Sequence, residues 1–217
     1  MLIPLRNYSN YSICESNIKI DDLVNFAEKE KLPAIALTDY KLLSGVLEFS
    51  IKCKNKGIQP IIGLDVDFIS KLKHKSRLTF LSKNDIGFKN LNILSTKINT
   101  ENEFELSSNN INSFAEGNIL ILGGLFSYFQ DLNISTNNLK IILDEITTLK
   151  KLFNNDIFFE FDENLDNKLL NELSQKSHIN SFLSSFSFYR QDKDYDAIKI
   201  LHCLKNGEYL QNTSFNL

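Results

Sequence analysis

The segment Leu32-Pro33-Ala34-Ile35-Ala36-Leu37-Thr38-Asp39 decides the fold, because a continuous apolar run of strand length follows a proline and ends in polar residues. Such a run is typical of a strand that is buried on both faces. The preceding residues, 20–31, have helical spacing of apolar positions and two aspartates in the first turn. A second helix is predicted over 42–56, and Gly57 lies where a left-handed cap is expected.

The same alternation of strand and helix continues along the chain. Further strands are predicted at 2–5, 60–66, 77–81, 119–122, 157–161 and 182–185. Further helices are predicted at 86–98, from 138 to 153, around 165–173 and at 197–204 with Gly207 as the cap, while 99–112 is a polar excursion. Buried strands separated by helices favour a parallel sheet. About seven such units predict an α/β fold of the distorted (β/α)7 barrel type, with a doubly wound open sheet as the alternative.

Composition and charge restrict the function. The 217 residues carry 24 Lys and Arg against 27 Asp and Glu, for a net charge of -3, and Arg6, Arg77 and Arg190 are the three arginines. This balance argues against a surface that coats DNA, because phosphate neutralisation needs a basic stripe. No apolar run is long enough for a membrane span, and the start MLIPLRN lacks the order of a signal peptide, so a cytoplasmic protein is expected.

The sequence predicts neither a disulfide framework nor a boundary between domains. Cys14, Cys53 and Cys203 are odd in number and far apart, which predicts reduced thiols and no disulfide framework. No internal repeat or low-complexity linker is visible, so a single domain over 1–217 is predicted.

Several motifs then occur in a specific order. They are Tyr8-Ser9-Asn10-Tyr11-Ser12, the segment 32–39 quoted above, and the stretches 45–49, 57–63, 81–84, 87–91 and 194–207. Together they resemble the PHP (polymerase and histidinol phosphatase) domain of the kind that begins the alpha subunit of bacterial DNA polymerase III. Each motif alone is weak, but the ordered set covers nearly the whole chain.

The resemblance implies a metal site that this sequence alters. An active PHP domain builds a metal cluster from a His-x-His, a His after Thr-Asp, acidic residues and a late Asp-x-His, and the cluster activates water against a phosphoester. Here those positions are occupied mainly by residues that do not ligate metals in this family, namely Pro4, Arg6, Tyr8, Tyr40, Phe186 and Phe188. Three carboxylates stand at or near family ligand positions, namely Glu15, Asp39 and Asp65.

Two interpretations of these carboxylates are open. They could hold a weakly bound, Mg²⁺-like ion together with several waters. The favoured interpretation is that the Arg6 guanidinium pairs with Asp39 or Asp65 and that the aromatic residues fill the space of lost ligands. The nine residues then form a vestigial pocket, with no catalytic residue and no metal ligand in it.

The remaining chemistry-bearing residues receive structural interpretations. His74 is expected at a solvated hairpin tip within 71–75, His178 in a loop before a strand, and His202 half-buried on a helix. Gly123-Gly124 follows a strand and is a weak signal for phosphate binding, because no Lys-Ser/Thr follows it.

Three functions therefore compete. The first is a structural and partner-binding domain of a replicative polymerase, and the second is a metal-dependent phosphoesterase, pyrophosphatase or exonuclease. The third, an unrelated βα-barrel enzyme, would need an acid/base set that is not found.

The resemblance implies a piece of a much longer polymerase chain, whose palm and thumb would be partners and whose nucleotidyl-transfer domains would use Mg²⁺. It also implies a proofreading exonuclease subunit as partner. The charge predicts weak or no binding of nucleic acid by this domain.

Overall fold

The computed structural model describes residues 3–124, 127, 136–162, 167–184, 194–207 and 209. The helices are α1 (Ile20–Lys29), α2 (Val46–Asn55), α3 (Asp85–Thr100), α4 (Thr136–Leu152), α5 (Lys168–Ser177) and α6 (Tyr195–Asn206). The strands are β1 (Ala34–Leu37), β2 (Gln59–Ile69), β3 (Lys75–Ser82), β4 (Asn118–Gly123), β5 (Ile157–Asp162) and β6 (Ser181–Ser184). No helix in these ranges is long and apolar enough to cross a membrane.

The chain divides into two compact units, and the first of them contains α1, β1, α2 and α6. Helix α1 forms as the sequence predicts, since its apolar positions are buried and its two aspartates lie in the first turn. All four residues of β1 are buried. Gly57 adopts φ 69° just after α2, and Gly207 caps α6 with φ 67°, as predicted.

The start of the chain lies along β1 without forming a regular strand among residues 3–5. The backbone N–H of Ala36 donates to the carbonyl of Pro4 at 3.1 Å, and that of Thr38 donates to Asn7 at 2.9 Å. The Asn7 amide also donates to the carbonyl of Ala36 at 2.9 Å. The strand predicted at 2–5 is therefore replaced by an irregular segment that still satisfies the β1 backbone.

The second unit runs from Ile62 to the end of β6. The strands β2 to β6 are hydrogen-bonded in chain order. The pairs β4–β5 and β5–β6 are parallel, as predicted. The pairs β2–β3 and β3–β4 are antiparallel, so the prediction of an all-parallel sheet is wrong. The short loop between Ile69 and Lys75 gives the reason, because a parallel pair would need a crossover of a dozen or more residues.

The predicted helices are all present, with ends shifted by a few residues. In α3 the side chain of Asn84 caps the helix by accepting from the N–H of Gly87 at 3.0 Å. A Cβ at Gly87 would lie 2.0 Å from the carbonyl oxygen of Gly117, so a glycine is required at this approach. Leu165 and Ser185 of the predicted ranges lie outside the described residues.

Candidate functional site

Asp39 is the centre of a hydrogen-bonded cluster at the carboxyl end of β1. Its side chain is 2% exposed. One carboxylate oxygen, Oδ1, accepts from the Ser9 N–H at 2.6 Å and from the Ser12 hydroxyl at 2.6 Å. The other, Oδ2, accepts from the Ser9 hydroxyl at 2.7 Å. Each serine hydroxyl also accepts a backbone N–H, from Tyr11 at 3.2 Å and from Tyr40 at 2.9 Å, so the cluster is internally satisfied.

Burial controls the electrostatics of this carboxyl group. Removal from water disfavours the charged form and raises the pKa of Asp39, while the hydrogen bonds from Ser12 and Ser9 oppose the rise without cancelling it. Among the described residues Asp39 has hydroxyl and N–H partners and no ion pair. Of the two expected partners of Arg6, Asp39 is therefore wrong, because Ser9 and Ser12 supply its donors, and the pairing of Arg6 with Asp65 stays a prediction.

Arg6 and Tyr8 form a second buried contact in the same unit. Both side chains are 0% exposed, and Nε of Arg6 donates to the Tyr8 hydroxyl oxygen at 3.2 Å. Ser16 holds the backbone here, since its hydroxyl donates to the carbonyl of Tyr8 at 2.8 Å. Pro4 is half-buried and carries no side-chain donor or acceptor. The three positions that the resemblance aligns with metal ligands thus hold a cation, a phenol and a ring without polar atoms.

Glu15 and Tyr40 share one lysine of the last helix. Glu15 is 1% exposed and forms an ion pair with Lys205, whose side chain is 37% exposed. The ammonium of Lys205 also lies 5.3 Å from the centroid of the Tyr40 ring. The ammonium of Lys41 lies 4.7 Å from the same centroid. Two ammonium groups therefore lie near the ring of Tyr40, which follows Thr38-Asp39 directly.

The loop that carries these residues is anchored on α2. The hydroxyl of Tyr11 donates to Glu48 at 3.1 Å, and this contact raises the pKa of Tyr11. Lys52 lies 2.7 Å from Glu48 and 2.6 Å from Asp21, so the loop, α1 and α2 share one charged network. The hydrogen bond from Lys52 lowers the pKa of Glu48.

Asp65 belongs to the second unit and has its own partners there. It is 0% exposed, and its Oδ1 accepts from the Thr79 hydroxyl at 2.8 Å. The Arg77 guanidinium lies 3.8 Å from its Oδ2 and 3.7 Å from Asp67. Thr79 stands directly opposite Asp65 in the antiparallel pair, so the β2–β3 register creates this contact.

The remaining predictions concern two phenylalanines, metal binding and the three histidines. Phe186 and Phe188 lie outside the described residues. Within the described ranges, no three His, Cys, Asp or Glu side chains form a group that could hold a metal ion. His74 is exposed in the loop of the β2–β3 hairpin and His202 is half-buried on α6, both as predicted, and His178 is exposed at the left-handed C-cap of α5.

The Gly123-Gly124 pair serves strand packing. A Cβ at Gly123, with φ 104°, would lie 2.5 Å from the carbonyl oxygen of Glu160. The N–H of Gly124 donates to that same oxygen at 3.1 Å. The close approach to β5 requires a glycine at Gly123, and the positive φ of 75° favours one at Gly124.

Sequence reasoning missed the partners of the two buried carboxylates. These are Ser9 and Ser12 for Asp39, and Lys205 for Glu15. The two serines lie three residues apart in the motif Tyr8–Ser12, and this spacing was the available signal. For Lys205 no local pattern could have served, because its partner lies 190 residues earlier.

Comparisons with known proteins show the family of this chain. A family model described as the PHP domain matches residues 4–164. The chain belongs to the PHP domain family. Along its length it is similar to DNA polymerase III subunit alpha of Borreliella burgdorferi, with 28% identity over 94% of this chain and 19% of that protein. The subunit of the same name from Chlamydia pneumoniae is 33% identical over 73% of this chain and 14% of that protein.

Solved structures show that the fold is shared. An amidohydrolase from Chromobacterium violaceum, solved with bound sulfate and no metal, aligns with a TM-score of 0.56 at 9% identity. That alignment covers 92% of this chain and 96% of the other. A putative metal-dependent phosphoesterase from Bifidobacterium adolescentis aligns with a TM-score of 0.53 at 8% identity, over 92% and 98% of the two chains. The chain therefore has the α/β fold of PHP-type proteins.

Proposed function

We propose that this chain is the amino-terminal PHP domain of a bacterial replicative DNA polymerase alpha subunit, in which the metal site is degenerate and the domain acts as a structural and partner-binding module. The relatives support the setting, because matches named DNA polymerase III subunit alpha extend over nearly the whole chain. The chain spans about a fifth of the length of these relatives. A place in the cytoplasm, where replication proceeds, belongs to the same proposal.

The surroundings of Asp39 carry the proposal. A carboxylate that ligates a metal must turn lone pairs toward the cation, whereas both oxygens of Asp39 receive N–H or O–H donors. The ammonium groups of Lys41 and Lys205 lie near the ring of the neighbouring Tyr40, and the buried Arg6 is a further cation. Cations repel a metal ion, and these residues do not fit the family's cluster of imidazoles and carboxylates.

The competing proposal is a metal-dependent phosphoesterase, pyrophosphatase or exonuclease. The observation in its favour is that the acidic residues Glu15 and Asp39 are retained in one buried region. Against it, Glu15 already has Lys205 as its counter-charge, and Asp39 is hydrogen-bonded by serines. Only a weakly held Mg²⁺-like ion would be compatible with that pair.

Partners of the module are proposed from charge and from the relatives. With a net charge of -3 and three arginines, the domain is poorly suited to hold DNA, so proteins are the expected partners. We propose the palm and thumb of the same polymerase chain, whose nucleotidyl transfer would use Mg²⁺, and the proofreading exonuclease subunit.

Metal analysis tests the degenerate site. The 217-residue chain is incubated with Mn²⁺ and Zn²⁺, dialysed and analysed by mass spectrometry for bound metal, and phosphoesterase activity is assayed with and without a chelator. We expect no stoichiometric metal and no chelator-sensitive activity. Metal that survives dialysis, together with activity that is lost in Asp39→Ala, would establish the competing function.

Deletion and binding experiments test the module. Removing the domain from the longer polymerase is expected to lower stability and activity of the remainder, and the isolated chain is expected to bind DNA weakly and in a salt-dependent way. Tight, salt-resistant binding of DNA by the chain, or an unaffected polymerase after deletion, contradicts the proposal.

A further inference from the structure

The polar excursion and the β2–β3 hairpin enclose a cleft that the proposed function does not use. The cleft lies within the second unit and has a volume of about 420 Å³. Side chains from the loop after β2 line one side, and side chains from the segment after α3 line the other. The lining residues include Lys71, Lys73, Glu103, Phe104, Glu105 and Ser108.

A single buried carboxylate on α4 fixes both walls. Glu145 is 2% exposed and accepts from the backbone N–H of Lys71 at 2.9 Å and from the hydroxyl of Ser108. The walls are also joined directly, since the N–H of Ile69 donates to the carbonyl of Leu106 at 2.8 Å. A cleft fixed in this way loses little conformational entropy when a ligand enters.

The charges that remain available in the cleft are mainly negative. The ammonium of Lys71 lies 2.7 Å from Asp144. Glu101, at the edge of the cleft, pairs with Lys97 at 2.9 Å. Within the described part of the chain, Glu103 and Glu105 form no ion pair, and Lys73 is the only lining lysine that forms none. The two exposed carboxylates outnumber it and attract a cation.

An aromatic ring stands between these carboxylates in the sequence and lines the same cleft. Phe104 is half-buried and packs edge-on against Phe114, with ring centroids 6.4 Å apart. The ammonium of Lys97 already lies 5.6 Å from the Phe104 centroid while it pairs with Glu101. One cation of the protein thus already lies near this ring, and the cation of a ligand would share or replace that contact.

We infer that this cleft binds an arginine side chain presented by an extended segment of a partner protein. A guanidinium is planar, stacks on aromatic faces and donates to carboxylates through a rigid fork, so it uses the ring and the glutamates together. The Ser108 hydroxyl donates to Glu145, but its oxygen can still accept from the backbone of such a segment, and the exposed Asn109 amide lines the same cleft. The inference is independent of the proposed function, because none of its residues belongs to the Asp39 cluster.

A pair of short peptides tests the inference. Blocked Gly-Gly-Arg-Gly-Gly and its citrulline twin, which keeps the shape and loses the charge, are titrated into the ¹⁵N-labelled 217-residue chain. We expect the arginine peptide to shift backbone resonances at 71–73 and 103–110 and the citrulline peptide to bind at least about fivefold more weakly.

Matched variants locate the site. Glu103→Gln combined with Glu105→Gln should weaken arginine-peptide binding about fivefold, whereas Glu116→Gln, an exposed glutamate elsewhere in the unit, should leave it unchanged. Lys97→Met removes the internal competitor and should tighten binding, while Lys89→Met, an exposed lysine of the same helix, should not. The two lysine variants alter the charge equally. The double glutamate variant removes two charges and its control one, so Glu103→Gln and Glu105→Gln are also compared singly with Glu116→Gln, and a non-specific charge effect would not separate variants of equal charge.

Three outcomes overturn the inference. Equal binding of the citrulline peptide would remove the role of the charge, and equal effects of Glu116→Gln and the double variant would remove the site. Absence of localised shifts up to the solubility limit would remove the binding itself.

Discussion

Lys205 on α6 forms an ion pair with Glu15, a carboxylate that is 1% exposed and lies 190 residues earlier in the chain. The same ammonium approaches the Tyr40 ring, so one lysine connects the last helix with the loop before α1 and with the end of β1. A buried carboxylate that loses its cation retains the full desolvation cost of its charge. A substitution of Lys205 therefore measures how much the ion pair with Glu15 contributes to the free energy of unfolding.

Lys205→Met should lower the free energy of unfolding by about 1–2 kcal/mol, less than for a fully buried pair because water reaches the lysine. Urea unfolding measures the change. Lys199→Met, on the same helix but paired with the exposed Asp196, is the control and should cost less than about 0.5 kcal/mol. Adding Glu15→Gln to Lys205→Met should recover part of the loss, and equal losses for both lysine variants would contradict the role of Glu15.

Asp39→Asn should change how stability depends on pH. Because the pKa of Asp39 is raised in the folded state, its favourable contribution is complete below its ordinary pKa and is lost as pH rises through the folded-state pKa. Wild type should therefore lose stability relative to Asp39→Asn as pH rises from about 4 toward neutral. Urea unfolding at a series of pH values gives this difference.

Asp144 provides the contrast of opposite sign. Its hydrogen bond from Lys71 lowers its pKa, so its contribution is present above its ordinary pKa and is lost as pH falls through the lower folded-state value. Asp144→Asn should thus lose stability relative to wild type at higher pH. A pH-independent difference for Asp39→Asn would show that burial does not control that carboxyl group.

Ser12→Ala should destabilise the chain by about 1–3 kcal/mol, because it removes a donor to the buried Asp39 and an acceptor for the Tyr40 N–H together. Thermal or urea unfolding is the measurement. Ser44→Ala, at an exposed position of the same unit, serves as control and should have little effect. If Ser12→Ala lowers the free energy of unfolding no more than Ser44→Ala does, water must replace both hydrogen bonds of the Ser12 hydroxyl, which would contradict the prediction.

Alkylation should distinguish the cysteines. Burial raises the pKa of Cys53 to about 11, so little thiolate is present at pH 8, and its side chain is 0% exposed. Cys14 is half-buried and more accessible. Mass spectrometry of peptides after timed iodoacetamide treatment should show Cys14 labelled well before Cys53, and equal rates in urea. Equal rates in the native chain would refute the buried environment.

The helices and most strands could be predicted because burial and periodicity are local properties of the sequence. Ile20, Leu23 and Val24 fall on one face of α1, and that face is buried. Strand direction is not local, so a continuous apolar run such as 77–81 predicts a strand without indicating whether it runs parallel to its neighbour. The loop 70–74 held that information, since a hairpin there places Asp65 opposite Thr79.

Within the site, residue types could be predicted but partners could not. The resemblance indicated that Arg6 and Tyr40 stand where imidazoles are expected, whereas the partners of Asp39 depended on a turn that brings Ser9 and Ser12 to one carboxylate. Hydroxyl groups are common on surfaces and turns, so a serine in a motif does not by itself indicate an acceptor. Arg6 was one expected counter-charge for Asp39, and the nearby donors Ser9 and Ser12 take that position.

The placement of Lys205 also limits how this protein can be shortened for expression. The family match ends at residue 164, and a recombinant piece cut there would retain Glu15 and Tyr40 but lack all of α6. Glu15 would lose its ammonium partner. A gene trimmed to the family boundary is thus expected to give poorly soluble protein, and a usable boundary must lie beyond the cap at Gly207.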